Sequence, residues 1–389
     1  KKNRIMNKEH STTIKSPSQP HVEQLQDRHM PNNFDISLKA YGGGEINKFL
    51  NPVPKDLTIH SMRGFETQYK NIIDYIVRIT YRIWEEKDIG YIYDTYSHDC
   101  RVWDEFGLQF GAEKIVADTV HTNNAFPDIR LFADEVIWAG DEDASFHTSH
   151  RTIITGTNTG YSKFSEPTEK PVRLLCIANC VAKNNEIYYE NVVYDTAALI
   201  GQLGLNVNEI AKEVANKGAV GPFAPEFKNS KPKRITGTSK PLSFEIPENV
   251  SNVRDFAEAV FNTIWNRRNF SAIDRIYSDD IAFEGSTGRK FKGKKQLRNF
   301  IISMIASFPD LALSIEDIYW MGNEHDGYLV SVRWGAIGTH KGNGSYGPPT
   351  EKECYIWGIT QWHIEKNKII KEWTAFNEFG ILVQLHGDK

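Results

Sequence analysis

From residue 70 onward the chain changes its hydrophobic rhythm within each half. In "YKNIIDYIVRITYRIWEE" the apolar residues fall at helical spacing, and "DIGYIYDTY" predicts a second, short helix. "CRVWDEFGLQF" reads as strand and turn, and "AEKIVADTVHTNNAF" as helix. The strand-like segments "DIRLFADEVIW", "ASFHTSHRTIITG" and "VRLLCIANCVA" follow, and "EIYYENVVYD" returns after the turn residues "KNN". Helices first and mostly antiparallel strands afterwards predict an α+β domain. Its curved sheet would carry helices on one face, and these would close a cone-shaped pocket.

The whole pattern occurs twice. Phe126-Pro127-Asp128 returns as Phe308-Pro309-Asp310, an offset of 308 − 126 = 182. The same offset carries Trp138 to Trp320, Arg151 to Arg333, Glu190 to Glu372 and Gln202 to Gln384. Upstream the offset is 181, taking Trp84 to Trp265, with one residue inserted where "FG" becomes "FKG". The chain is a tandem duplication. Domain 1 is expected over 66–205 and domain 2 over 248–389, with a helix and linker at 206–247. In the connection "NVNEIAKEVANKG" predicts a helix stopped by glycine, and the Pro-, Lys- and Ser-rich remainder predicts a linker. Residues 1–65 read as an N-terminal arm, partly disordered, in which "FDISLKAY" and "INKFLNPV" are segments suited to docking.

Composition then narrows the function classes. A net charge of −4 and a pI near 6.3 leave no basic footprint for nucleic acid or an anionic membrane. No apolar run approaches a membrane span, and the basic start has no apolar core behind it, so it is not read as a secretory signal. Cys100, Cys176, Cys180 and Cys354 form no CxxC pair. Cys176 and Cys180 lie roughly 13 Å apart along a strand, too far for a disulfide. A reduced, cytoplasmic protein is expected. "GNGSYG" has the glycines of a dinucleotide loop but opens no helix, and no zinc spacing, P-loop or nucleophile elbow is present. The expectation is therefore no cofactor and no metal, with a small-molecule ligand as the partner.

Candidate chemistry is concentrated on few residues. Asp195 ends an apolar strand before "TAALIGQLG", where an acid either caps a helix or moves a proton. Its counterpart Asn377 can cap but cannot exchange a proton. Asp104 in "VWDEFG" is a second acid, facing Gly285 in the other copy, although Glu284 lies next door. His147 and His150, three apart on a strand, point to opposite sides, so one is expected in the pocket and the other at the surface. Arg151 and Arg333 coincide, which predicts a salt bridge shared by both copies. Tyr81, Trp84, Trp103, Asn191 and Arg151 are further candidates for contact with a ligand in domain 1. His363, Trp373 and Asn377 would form a second ligand site in domain 2.

The segments "AFPDI" and "SFPDL" carry a family resemblance, as do Glu190, Asp195, Leu199 and Gln202-Leu203-Gly204. They resemble the SnoaL-like polyketide cyclases of the nuclear-transport-factor-2-like superfamily, which also holds ketosteroid isomerases, scytalone dehydratase and limonene-epoxide hydrolase. The resemblance spans both repeats and leaves the arm and linker unexplained. It implies two cone-shaped α+β barrels and a cofactor-independent acid/base enzyme of cyclase, isomerase, dehydratase or hydrolase type. The substrate class it implies is a small, apolar, carbonyl-bearing molecule. Asp195 would be the general acid/base, helped by Asp104 and by His147 or His150, with the chemistry in domain 1 and domain 2 diverged. Subunit pairing would be reproduced inside one chain, and a homo-oligomer is compatible with it. The alternative is a non-catalytic ligand-binding or scaffold protein of the same fold, in which Asp195 is a plain cap.

Overall fold

A computed structural model describes residues 61–218, 225, 227, 231–236 and 240–387. The expected docking segments of the arm lie outside the described residues. Domain 1 opens with α1 (Ile72–Trp84), whose first turn is closed by Asn71 accepting the Asp74 N–H at 2.7 Å. Its apolar stripe, Ile72, Ile73, Ile76, Ile79 and Ile83, is buried, as the helical period requires. A short helical segment, Ile92–Thr95, leads into β1 (Tyr96–Asp104) and β2 (Gly107–Phe110). Next come α2 (Ala112–Ala125), β3 (Arg130–Asp141), β4 (Ser145–Thr157), β5 (Pro171–Lys183) and β6 (Glu186–Val193). The domain ends with α3 (Thr196–Gln202). The "KNN" turn works through Asn184 and Asn185, both at positive φ, the geometry of a tight hairpin.

After α4 (Val207–Asn216) the same series returns. It comprises α5 (Val253–Phe261), β7 (Tyr277–Gly285), β8 (Arg289–Lys292), α6 (Lys294–Ser307) and β9 (Ala312–Asn323). It continues with β10 (Gly327–Thr339), β11 (Glu353–Glu365), β12 (Lys368–Phe376) and α7 (Glu378–His386). The strand orders are β2-β1-β6-β5-β4-β3 and β8-β7-β12-β11-β10-β9. The pairs β1–β6 and β7–β12 are parallel and the others antiparallel. Each sheet is strongly curved but open, so the expected barrels are half-cones and do not close.

Both faces of each sheet are covered. Helices and a hydrophobic core lie against the concave face, and the convex faces meet each other. Leu175, Ile177 and Val193 of domain 1 pack there on Trp357, Ile359 and Ala375 of domain 2. A buried polar network crosses the same contact. Arg151 donates to Asp134 at 2.8 Å, to Glu135 at 3.3 Å and to Gln361 of the other domain, and stands 3.5 Å over the Trp373 ring. His363 Nε2 meets Glu135 at 2.7 Å, and Gln361 donates to Ser149 Oγ at 2.7 Å. Arg333 does not reproduce the expected salt bridge. At the position where the Arg151 half has Gln361, the Arg333 half has Asn179, which donates to Ser331 Oγ at 3.5 Å, and Arg333 Nη2 has no hydrogen-bond partner among the described residues.

Candidate functional site

Alternation along β4 sorts its side chains. His150, Thr152 and Ile154 face inward, while Ser149, Arg151 and Ile153 face domain 2. The inward set lines a cavity of about 240 Å³ in domain 1, walled by Ile76, Ile83, Trp84, Ile115, Phe126 and Leu174 among others. The register sets His150, Ala178 and Val192 side by side on β4, β5 and β6. Asp104 on β1 follows the Trp103–Asn191 pair. At ~4.8 Å per strand, the His150 and Asp104 backbones stand roughly 14 Å apart across the cone. Between them, one row along, Glu190 faces the cavity from β6, paired with Cys180 on β5.

The polar groups in this cavity differ in how they are satisfied. Glu190 is 6% exposed and accepts one hydrogen bond, from the Tyr96 hydroxyl at 3.0 Å. Burial pushes its carboxyl up to about 7, against the Tyr96 bond, which favours the charged form. Glu105 is 2% exposed and accepts the Thr196 N–H at 2.9 Å; burial pushes it up to about 8. His150 is 3% exposed, and its Nε2 has no hydrogen-bond partner among the described residues. Burial, with Arg151 close by, brings its pKa down to about 4, so it is neutral at pH 7. Asp104 is half-buried and raised by burial, while Gln109 and the Phe106 N–H donate to it. At the mouth the Lys163 ammonium sits 4.0 Å from the Phe106 ring centre. Low dielectric, one unpartnered imidazole and carboxyls poised near neutrality suit proton transfer to and from an uncharged molecule.

Of the residues singled out in the sequence, Asp104, His150 and Trp84 line this cavity. Asp195 does not. It caps α3 from a left-handed backbone, and its carboxylate accepts the N–H groups of Thr287 at 2.6 Å and Gly288 at 3.2 Å in domain 2. The two acids expected together therefore sit in different places, because the chain turns outward at Asp195 to start the helix. His147 is buried between the sheets beside Tyr319 instead of lying at the surface. Arg151, Trp373 and His363 belong to the interdomain network described above. Trp103 packs with Val181 and Tyr189, Asn191 donates to Tyr189 at 3.4 Å, and Tyr81 packs at the edge of the α1 core. Asn377 is turned inward, accepting the Trp357 N–H at 3.0 Å. Glu284 is engaged by Arg173 and Lys290, away from the domain 2 cavity. Sequence reasoning passed over Glu105 and over the Tyr96–Glu190 pair. The available signal for the pair was its recurrence as Tyr277–Glu372.

In domain 2 the corresponding space is about 20 Å³, room for about one water. No group of His, Cys, Asp and Glu suited to a metal occurs among the described residues. All four cysteines are free and buried. No described helix is long and apolar enough to cross a membrane.

Fold and cavity together define a tandem pair of cone-shaped α+β domains of the nuclear-transport-factor-2-like class. Residues 256–385, in the second repeat, match the model of the SnoaL-like polyketide cyclase family. The first repeat has the same strand order, compatible with a tandem arrangement of that fold. Among solved structures, a protein assigned as a polyketide cyclase from Acidithiobacillus ferrooxidans is 20% identical. It matches over 35% of this chain and 96% of its own, with a TM-score of 0.31. TsrD from Streptomyces laurentii is 18% identical over 34% of this chain and 93% of its own, with a TM-score of 0.30. A protein of ketosteroid isomerase-like fold from Catenulispora acidiphila is 15% identical over 33% and 90%, with a TM-score of 0.27. No curated protein matches the chain.

Proposed function

We propose that the protein is a cofactor-independent acid/base enzyme of cyclase or isomerase type, working in the domain 1 cavity on a small, uncharged, carbonyl-bearing molecule. The observation that carries this reading is the buried Glu190 carboxyl, held by Tyr96 in an apolar cavity and poised near neutral pH. As a carboxylate, Glu190 takes a proton from the carbon next to the carbonyl. As the acid, it returns that proton to a different carbon of the enolate. The neutral His150, with its free Nε2, donates to the oxygen on which charge develops, in the tautomer that carries the Nε2 proton. Trp84, Phe106 and Phe126 hold the apolar body, and the volume suits a ligand of roughly ten to fifteen heavy atoms.

The test is a turnover screen of small ketones and esters with wild type and Glu190→Gln. A variant that folds as wild type and loses about 10²–10⁴ in rate supports the assignment. Undiminished turnover in the variant removes Glu190 from the chemistry. Equal binding by both proteins, with turnover by neither, favours a ligand-binding protein.

A further inference from the structure

Two residues in unfavourable backbone conformations face each other across the domain boundary. Asp195 lies at φ 50, ψ 55, and Thr287, in the turn after β7, lies at φ 61. A left-handed β-branched residue is a true outlier, costing about 1–3 kcal/mol, and it persists only where its surroundings demand it. Here the demand is visible. The conformation of Thr287 and Gly288 aims two successive backbone N–H groups at the Asp195 carboxylate, the arrangement of an anion-binding nest.

The turn that carries the nest is itself held firmly. Thr287 Oγ1 donates to Glu378, Arg289 binds both Glu378 oxygens at 2.6 Å, and the Tyr346 hydroxyl donates to Glu378 at 2.9 Å. On the other side, Asp195 is followed directly by Thr196, whose N–H is the donor to Glu105 in the cavity. The Glu105–Phe106 turn in its turn lies against α7. A Cβ on Gly380 would stand 3.2 Å from the Glu105 carbonyl oxygen, and the Phe106 and Phe379 rings are 5.7 Å apart. The mirrored residue Asn377 makes no such reach, binding its own β11 through Trp357 and Tyr355. The contact is one-sided: domain 2 supplies the receptor and domain 1 the acid.

We propose that Asp195 is a positioning residue: through the Thr287–Gly288 nest, domain 2 fixes the Glu105–Thr196 end of the domain 1 cavity. The proposal rests on the functional reading only in treating that cavity as the working one. The charged and titratable groups facing this point are Glu378, Arg289 and Tyr346 from domain 2, with Asp104 and Glu105 from domain 1.

The experiment uses the full chain with Asp195→Asn, which keeps the size and capping ability of the residue and removes its charge. Hydrogen exchange read by mass spectrometry reports on the Thr287 and Gly288 amides and, across the boundary, on the Thr196 amide that donates to Glu105. Exchange at Thr287 and Gly288 should accelerate by at least about tenfold as the nest loses its anion, and Thr196 should follow as its end of the cavity loosens. Thr287→Gly keeps both N–H groups, so it should leave exchange at Thr196 as in wild type. If Asp195→Asn accelerates none of these amides, Asp195 is only a helix cap. Faster exchange at Thr287 and Gly288 with an unmoved Thr196 would break the link from clamp to cavity. Faster exchange at Thr196 in an enzyme that keeps its rate after Glu190→Gln supports the positioning role and overturns the proton-shuttle reading instead.

Discussion

The two domains share one fold and one buried Tyr–Glu pair, yet the cavity of about 240 Å³ in one shrinks to about 20 Å³ in the other. The difference lies in a few inward positions. Thr152 corresponds to Trp334, Cys180 to Trp362, Val102 to Phe283 and Asp118 to Phe300, each change filling space in domain 2. The polar inventory changes with it, since Asp104, Glu105 and His150 correspond to Gly285, Ser286 and Val332. Even the retained acid behaves differently. Glu372 accepts from Tyr277 at 2.7 Å, Trp362 at 3.0 Å and Thr374 at 2.9 Å, whereas Glu190 accepts from Tyr96 alone. A buried carboxyl with three donors is a structural element; one with a single donor beside a cavity has capacity left for a ligand.

The largest effect that can break this comparison is on rate. Glu190→Gln should lower turnover by about 10²–10⁴, while Glu372→Gln should leave turnover intact and cost about 1–3 kcal/mol of stability. Parallel kinetics and urea unfolding of the two variants decide it. Equal losses of rate would mean that domain 2 also takes part in the chemistry.

The next effect exchanges the filling residues. Trp334→Ala opens a cavity in domain 2 and should cost about 3–5 kcal/mol, read as a lowered urea midpoint. Thr152→Trp puts the domain 2 residue into domain 1 and should abolish binding of a neutral fluorescent aromatic ketone, followed by titration. Retained binding by Thr152→Trp would place the ligand outside the cone.

Much of the fold was legible because two rhythms and a repeat constrain it together. Helical spacing in α1, alternation in β4 and the 182-residue offset all agree with the observed elements. The site was harder to read, for a physical reason. Alternation separates two faces of a strand but does not say which is concave, and here both faces are buried, so polarity gives no clue. Arg151, Asn191, Trp103 and Trp373 were consequently assigned to ligands although they face away from the cavities. Asp195 stood out because it changes to Asn377, while Glu190, matched by Glu372, drew no role of its own. The reverse weighting fits the geometry: the acid that differs holds the domains together, and the retained acid differs in its surroundings.

Per pH unit, the smallest effect sharpens the comparison through pH. Unfolded, Glu105 and Glu190 release their protons near 4.5; folded, they hold them to about 8 and about 7. Within that window the folded state binds more protons than the unfolded one, so stability falls as pH rises, by up to about 1.4 kcal/mol per pH unit for each group. The effect is absent below about pH 4.5 and complete above about pH 8. Urea unfolding across this window should show the slope in wild type and a clearly flatter profile in Glu105→Gln combined with Glu190→Gln. An unchanged slope would assign the linked protons to other raised acids, Asp195 at about 6 and the triply bonded Glu372 being the groups to replace next. In that case the difference between the domains would rest on volume alone.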